Sequence, residues 1–151
     1  MEEKTLKQIQ KITEELLEKL QVKSNLKVEV DETETVHINI ETEETGILIG
    51  YHGETLSAFQ LILGLMIYKK LGSWTKIVVN VGDYRERRQE VLFQMAQNAV
   101  DRVKTTNESV ILPYLNSGER RIIHIYLQEN PDVITESEGE GENRRLVIKK
   151  K

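Results

Sequence analysis

The sequence predicts two small α/β (α+β) modules in one chain, residues 1–82 and 83–151. Three observations predict it. Apolar residues recur at helical spacing in both halves, and in the first half two short runs alternate with polar residues as strands do. Gly82-Asp83 punctuates the middle. Charge type changes at the same place. Residues 1–82 carry nine lysines and no arginine against thirteen carboxylates; residues 83–151 carry twelve basic residues, eight of them arginine, against twelve carboxylates.

In the first half, Leu6, Ile9, Ile12, Leu16, Leu17 and Leu20 share one face of a helix over roughly 3–22. Leu26, Val28 and Val30, then Val36, Ile38 and Ile40, alternate with polar residues as half-buried strands do, with a turn at 31–34 between them. His37 belongs to the polar face of the second strand. After the glycine-containing stretch "GILIGYHGETL" comes a helix marked by Leu56, Phe59, Ile62, Leu63, Met66 and Ile67, with Gly72 as its C-terminal cap. Residues 76–81 make a third strand. In the second half, Asp83 is placed to cap a helix over 84–104 along Val91, Met95, Ala99 and Val103. A strand at 108–113 stops at Pro113, and Ser117 is placed to cap a helix over 118–128. Val133-Ile134-Thr135 and Leu146-Val147-Ile148 are strands around the tip "SEGEGENRR", and Lys149-Lys150-Lys151 fray.

Composition excludes several functions. There is no cysteine, so neither disulfides nor thiolate chemistry is available, which suits a reducing cytoplasm. The longest apolar run, Leu61 to Tyr68, is far too short to span a bilayer, and "MEEKTLKQIQ" has no signal-peptide core. Catalysis has little support. No nucleophile, base and acid stand in a recognisable order, no metal-ligand cluster appears, and no cofactor is implied. The chain is therefore expected to be no enzyme. With a net charge of −4, strong non-specific attraction to nucleic acid is not expected either.

Gly50 and Gly53 are the first candidate site. Glycine inside a helix costs roughly 1 kcal/mol relative to alanine, so two of them three apart need a local reason. One reason is a tight turn between helices. Another is close approach of a phosphodiester to the bare backbone, with amides near Glu54 and Thr55 as free donors at the next helix start. The spacing matches neither a Walker loop nor a dinucleotide fingerprint. Ile49-Gly50-Tyr51-His52-Gly53, set between helices after a helix and two strands and before a third strand, resembles the loop of a type II KH domain. The resemblance implies a three-stranded sheet with packed helices, and a glycine loop that clamps about four nucleotides of single-stranded nucleic acid. Ile38, Ile40, Ile47 and Ile49 would floor an apolar groove for bases. Tyr51 and His52 stand where such loops carry a basic residue, so modest affinity is expected, rising as pH falls through histidine's range at about 6.5.

The second candidate is "SGERRIIH", where Arg120 and His124 are four apart and share a helix face. With Pro113, Ser117, the "SEGEG" stretch and Arg144 or Arg145, it resembles an R-three-H domain, a small α/β module that binds single-stranded nucleic acid. The resemblance implies that Arg120 grips a phosphate and that His124 donates to a neighbouring phosphate or stacks on a base. Arg121, Arg144 and Arg145 would extend the cationic face. Arg85, Arg87 and Arg88 in "DYRERRQE" read as the charged start of an exposed helix and as further candidate contacts.

KH followed by R-three-H is similar to the Jag family, bacterial proteins associated with the SpoIIIJ (YidC-type) membrane insertase. Members often carry an extra amino-terminal domain; the resemblance starts here at the KH helix, so that domain is expected to be lacking. The implied function is single-stranded RNA binding as a post-transcriptional or cell-envelope-linked regulator. Single-stranded DNA is an alternative partner. A further alternative is a protein-interaction adaptor, working through a homodimer, another KH protein or the insertase.

Overall fold

The computed structural model describes residues 3–151. The chain divides into two compact units, Met1–Arg85 and Glu86–Lys151. No described helix is long and apolar enough to cross a membrane.

The first unit opens with α1 (Glu3–Lys19), whose Ile9, Ile12 and Leu17 are buried. It is shorter than the periodicity suggests. Leu20 is exposed, and a turn at Gln21, in the left-handed region at φ 58°, ends the helix before its apolar pattern does. Strands β1 (Asn25–Val30) and β2 (Val36–Glu41) pair antiparallel, and β2 pairs parallel with β3 (Ile77–Val81). Asp31 organises the β1–β2 turn by accepting hydrogen bonds from the Thr33 and Thr35 amides. Between β2 and β3 come α2 (Thr45–Ile49), a 3₁₀ turn at Tyr51–Gly53 and α3 (Glu54–Leu71). Gly72 caps α3 in the left-handed region, its amide donating to the Tyr68 carbonyl. The core lies on the face of the sheet that carries Val36, Ile38, Ile40, Val79 and Val81, with Ile9, Leu56, Leu63 and Ile67 from the helices. Alternation leaves His37, Asn39 and Asn80 on the opposite face, where the Asn80 amide donates to Asn39 at 2.8 Å.

Helix α4 (Tyr84–Thr106) begins at the end of the first unit, and in the second it leads to a short β4 (Val110–Ile111), then α5 (Ser117–Leu127), β5 (Val133–Glu138) and β6 (Arg145–Lys150). The sheet order is β4-β6-β5, with both pairings antiparallel. Four expectations are corrected here. The buried stripe of α4 is Leu92, Ala96, Ala99, Val100 and Val103, while Val91 is exposed. The strand expected over 108–113 shrinks to Val110–Ile111, which stand opposite Ile148 and Val147 of β6. Asn116, not Ser117, caps α5: its side chain accepts from the Glu119 amide at 2.9 Å while Glu119 accepts from the Asn116 amide at 3.1 Å. Lys149 and Lys150 do not fray, because β6 runs through both and Lys149 pairs with Glu136 and Glu138.

Candidate nucleic-acid interface

Local sterics explain the glycine turn. Gly50 has φ 67° and Gly53 φ 82°, a region that side chains with a Cβ rarely occupy. A Cβ on Gly50 would stand 2.0 Å from the Thr55 hydroxyl oxygen, and one on Gly53 would stand 2.9 Å from the Tyr84 hydroxyl. The space that glycine leaves is therefore filled by this chain's own side chains. The Cβ side of these two glycines is thus not open to a ligand. Nor is the Glu54 amide a free donor, since it bonds to the Tyr51 carbonyl. What the turn presents outward is Tyr51, 68% exposed, with its ring centroid 4.0 Å from that of His52. His52 itself sits at φ 48°, a conformation histidine tolerates better than most residues.

The apolar groove divides. Ile38 and Ile40 are fully buried in the core and cannot receive a base; Ile47 is exposed and Ile49 half-buried beside the turn. The arginines of "DYRERRQE" also separate. Arg85 donates through Nε to the Val79 carbonyl at 3.0 Å and through Nη2 to Gln60 Oε1 at 3.1 Å, while the same Gln60 oxygen accepts from the Val79 amide at 3.0 Å. Gln60 and Arg85 thus occupy backbone groups on the open edge of β3. Arg87 is exposed. Arg88, expected on an exposed face, is largely buried and paired with Glu119 at 2.7 Å. A guanidinium held that way is a structural tie, not a surface contact.

In the second unit the Arg120/His124 pair is built as its spacing predicts, and loop and strand atoms hold both side chains. Arg120 donates through Nη1 to the Leu115 carbonyl at 2.6 Å. His124 Nδ1 lies 2.6 Å from Thr135 Oγ1 on β5, an arrangement that leaves Nε2 for another partner. Arg144 joins the same side of the sheet, because its Nε donates at 2.9 Å to Ser137, two residues along β5 from Thr135. Arg121 is exposed one position further round α5. Arg145 departs from the expected cluster. It stands opposite Glu138 in the β5–β6 register, on the sheet face away from Thr135 and Ser137, with its guanidinium 5.5 Å from the Tyr114 ring centroid. Nothing in the sequence marked Tyr114, Leu115, Thr135 or Ser137 as partners, since each bond joins residues from different elements.

Residues 7–81 match the model of the KhpA/KhpB KH domain, and residues 90–150 match that of the R-three-H domain. In that order they decide the family. The chain belongs to the Jag (KhpB) family. It is 36% identical over 136 residues to "RNA-binding protein KhpB" of Clostridium symbiosum, covering 89% of this chain and 61% of that protein. The protein of the same name from Bacillus subtilis is 37% identical over 131 residues, covering 85% and 62%. That of Streptococcus pneumoniae serotype 2 is 35% identical over 114 residues, covering 76% and 35%. The chain thus spans about three fifths of the length of the first two relatives. The KH match contains the Gly50–Gly53 turn, and the R-three-H match contains Arg120, His124, Arg144 and Arg145.

Proposed function

We propose that this chain binds single-stranded RNA without catalysing a reaction. The observation that carries the reading is the held Arg120/His124 pair. Leu115 and Thr135 take up one hydrogen-bonding position on each side chain, so the rest of the guanidinium and the second imidazole nitrogen are pre-aimed at a phosphate or a base. The printed name of the relatives, RNA-binding protein, supports the same reading. Arg144 and Arg121 extend the cationic surface, and Arg145 with Tyr114 offers a second one on the opposite face of the sheet. In the KH domain, Tyr51, His52 and Ile49 at the Gly50–Gly53 turn supply a stacking contact of low charge. Two weak sites joined by one chain raise overall affinity by roughly a hundredfold when both engage one strand. The working boundaries are 1–82 for the KH domain and 83–151 for the R-three-H domain.

One observation favours a second reading, assembly with a protein partner. Leu61, Ile62, Leu65 and Tyr68 are exposed together on α3, at the spacing of one helix face. The decisive experiment is fluorescence anisotropy of a short labelled single-stranded RNA at two salt concentrations. It compares wild type, Arg120→Ala/His124→Ala and Tyr51→Asp/His52→Asp, with the matched DNA as a competitor. Binding weakened by both double variants supports the two-site reading, and the salt slope counts phosphate contacts. Loss confined to the Arg120/His124 variant would assign RNA to the R-three-H domain and assembly to the KH domain. Absence of binding by wild type would overturn the proposal.

A further inference from the structure

A basic cleft of about 710 Å³ lies at the end of the KH sheet opposite the glycine turn. The turn follows the C-terminal end of β2. The cleft is built instead where β2 and β3 begin, from Thr33, Thr75 and Lys76, closed by the start of α1 at Lys4 and the end of α3 at Lys70. Among the described residues the lining carries three lysines, Lys4, Lys70 and Lys76, against one carboxylate, Glu34. Among the described residues none of these lysines forms an ion pair. This is a concentration of positive charge in a half of the chain whose carboxylates outnumber its lysines.

Trp74 also lines the cleft and is 66% exposed. Its ring stacks on Tyr68 with centroids 4.6 Å apart and planes at 18°. Tyr68 lies outside the cleft lining, so it supports the indole from one side while the cleft side stays open. An indole stacked on a second ring and flanked by lysines with no ion pair among the described residues has the chemistry for a base and its phosphates: a π-face for the base, cations for the backbone.

We infer that the Trp74 cleft is a further nucleic-acid contact of the KH domain, taking one base on Trp74 and adjacent phosphates on Lys4, Lys70 and Lys76. The inference rests on the single-stranded RNA reading and extends it to an end of the domain that the glycine turn does not reach. Low charge at Tyr51 and His52 is offset by lysines placed elsewhere on the same domain.

Trp74 is the sole tryptophan of the chain, so its emission reports on the cleft directly. Wild-type protein is titrated with labelled single-stranded RNA of about twelve nucleotides, following anisotropy and tryptophan emission in parallel, with AMP as a separate arm. Saturable quenching with the same midpoint as the anisotropy rise is expected. Trp74→Ala should weaken binding at least about fivefold, and Lys70→Glu/Lys76→Glu roughly tenfold, each with an unchanged circular dichroism spectrum. Lys19→Glu/Lys27→Glu, a charge-matched control outside the cleft, should change binding little. A rise in anisotropy without quenching would overturn the cleft and leave RNA binding intact. Equal losses in Lys19→Glu/Lys27→Glu would reduce the effect to bulk charge and also overturn it. Quenching by AMP as strong as by the oligonucleotide would assign the cleft to free nucleotides and defeat the strand contact. No rise in anisotropy would remove the RNA reading and the cleft with it.

Discussion

Arg88 of α4 and Glu119 of α5 close a 2.7 Å ion pair whose side chains are only 14% and 8% exposed. Glu119 is also half of the capping box with Asn116, so one carboxylate satisfies a guanidinium and a backbone amide at the start of α5. Two elements of the R-three-H domain are thereby joined at the helix that carries Arg120 and His124. Removing one partner of such a buried pair leaves a desolvated charge. Glu119→Ala should therefore destabilise the protein by about 3–5 kcal/mol. Arg88→Met/Glu119→Met should cost much less than the sum of its single variants, as read from urea unfolding curves. Additive losses would mean that the pair contributes no coupling.

Gly50 and Gly72 separate backbone strain from close approach. Both have positive φ, but a Cβ on Gly72 meets nothing within 4 Å, whereas one on Gly50 collides with Thr55. Gly72→Ala should cost about 1–2 kcal/mol, the left-handed penalty alone. Gly50→Ala should cost clearly more in the same unfolding assay. Equal costs would show that Thr55 moves aside freely.

Asp31 links stability to pH. The hydrogen bond from His37, and then that from Thr33, hold its carboxyl well below the ordinary value of 3.8. A carboxyl depressed in the folded state stabilises the fold fully above its unfolded value, and that contribution fades as pH falls through the folded value. Asp31→Asn should thus lower the urea midpoint at neutral pH, with the gap to wild type shrinking at acid pH. In carboxyl-carbon NMR, His37→Ala should move the Asp31 titration up toward 3.8. An Asp31 that already titrates there in wild type would contradict the assignment.

Thr135 acts through His124 as a positioning residue. Thr135→Val keeps the shape of the side chain but removes the 2.6 Å partner of Nδ1. RNA affinity should fall by roughly threefold to tenfold, the range of one hydrogen bond, with thermal stability nearly unchanged. The same loss when His124→Ala is the background would show that Thr135 does not work through the imidazole.

Most elements were legible in the sequence because their signals are local. The alternation at Val36, Ile38 and Ile40 and the Gly72 stop depend on a few neighbours, as does the four-residue spacing of Arg120 and His124. Phase errors arose where two apolar residues adjoin, as at Val91 and Leu92. There the partner surface, and not the pattern, selects which one is buried. Asn116 escaped notice for a related reason: Ser117 next to it is an equally good cap by type, and only the loop path chooses between them.

By itself the sequence determined the two α/β modules, their element order and the residue types at each candidate site. Tertiary structure decided which of those residues are available. It placed Arg88 in a buried pair, Arg85 on a strand edge, Ile38 and Ile40 in the core and Arg145 on the far face of its sheet. It also brought Lys4, Lys70, Trp74 and Lys76 to one cleft. The physical reason is range. Periodicity and capping act over a few residues, whereas burial and charge pairing depend on what the folded chain brings alongside.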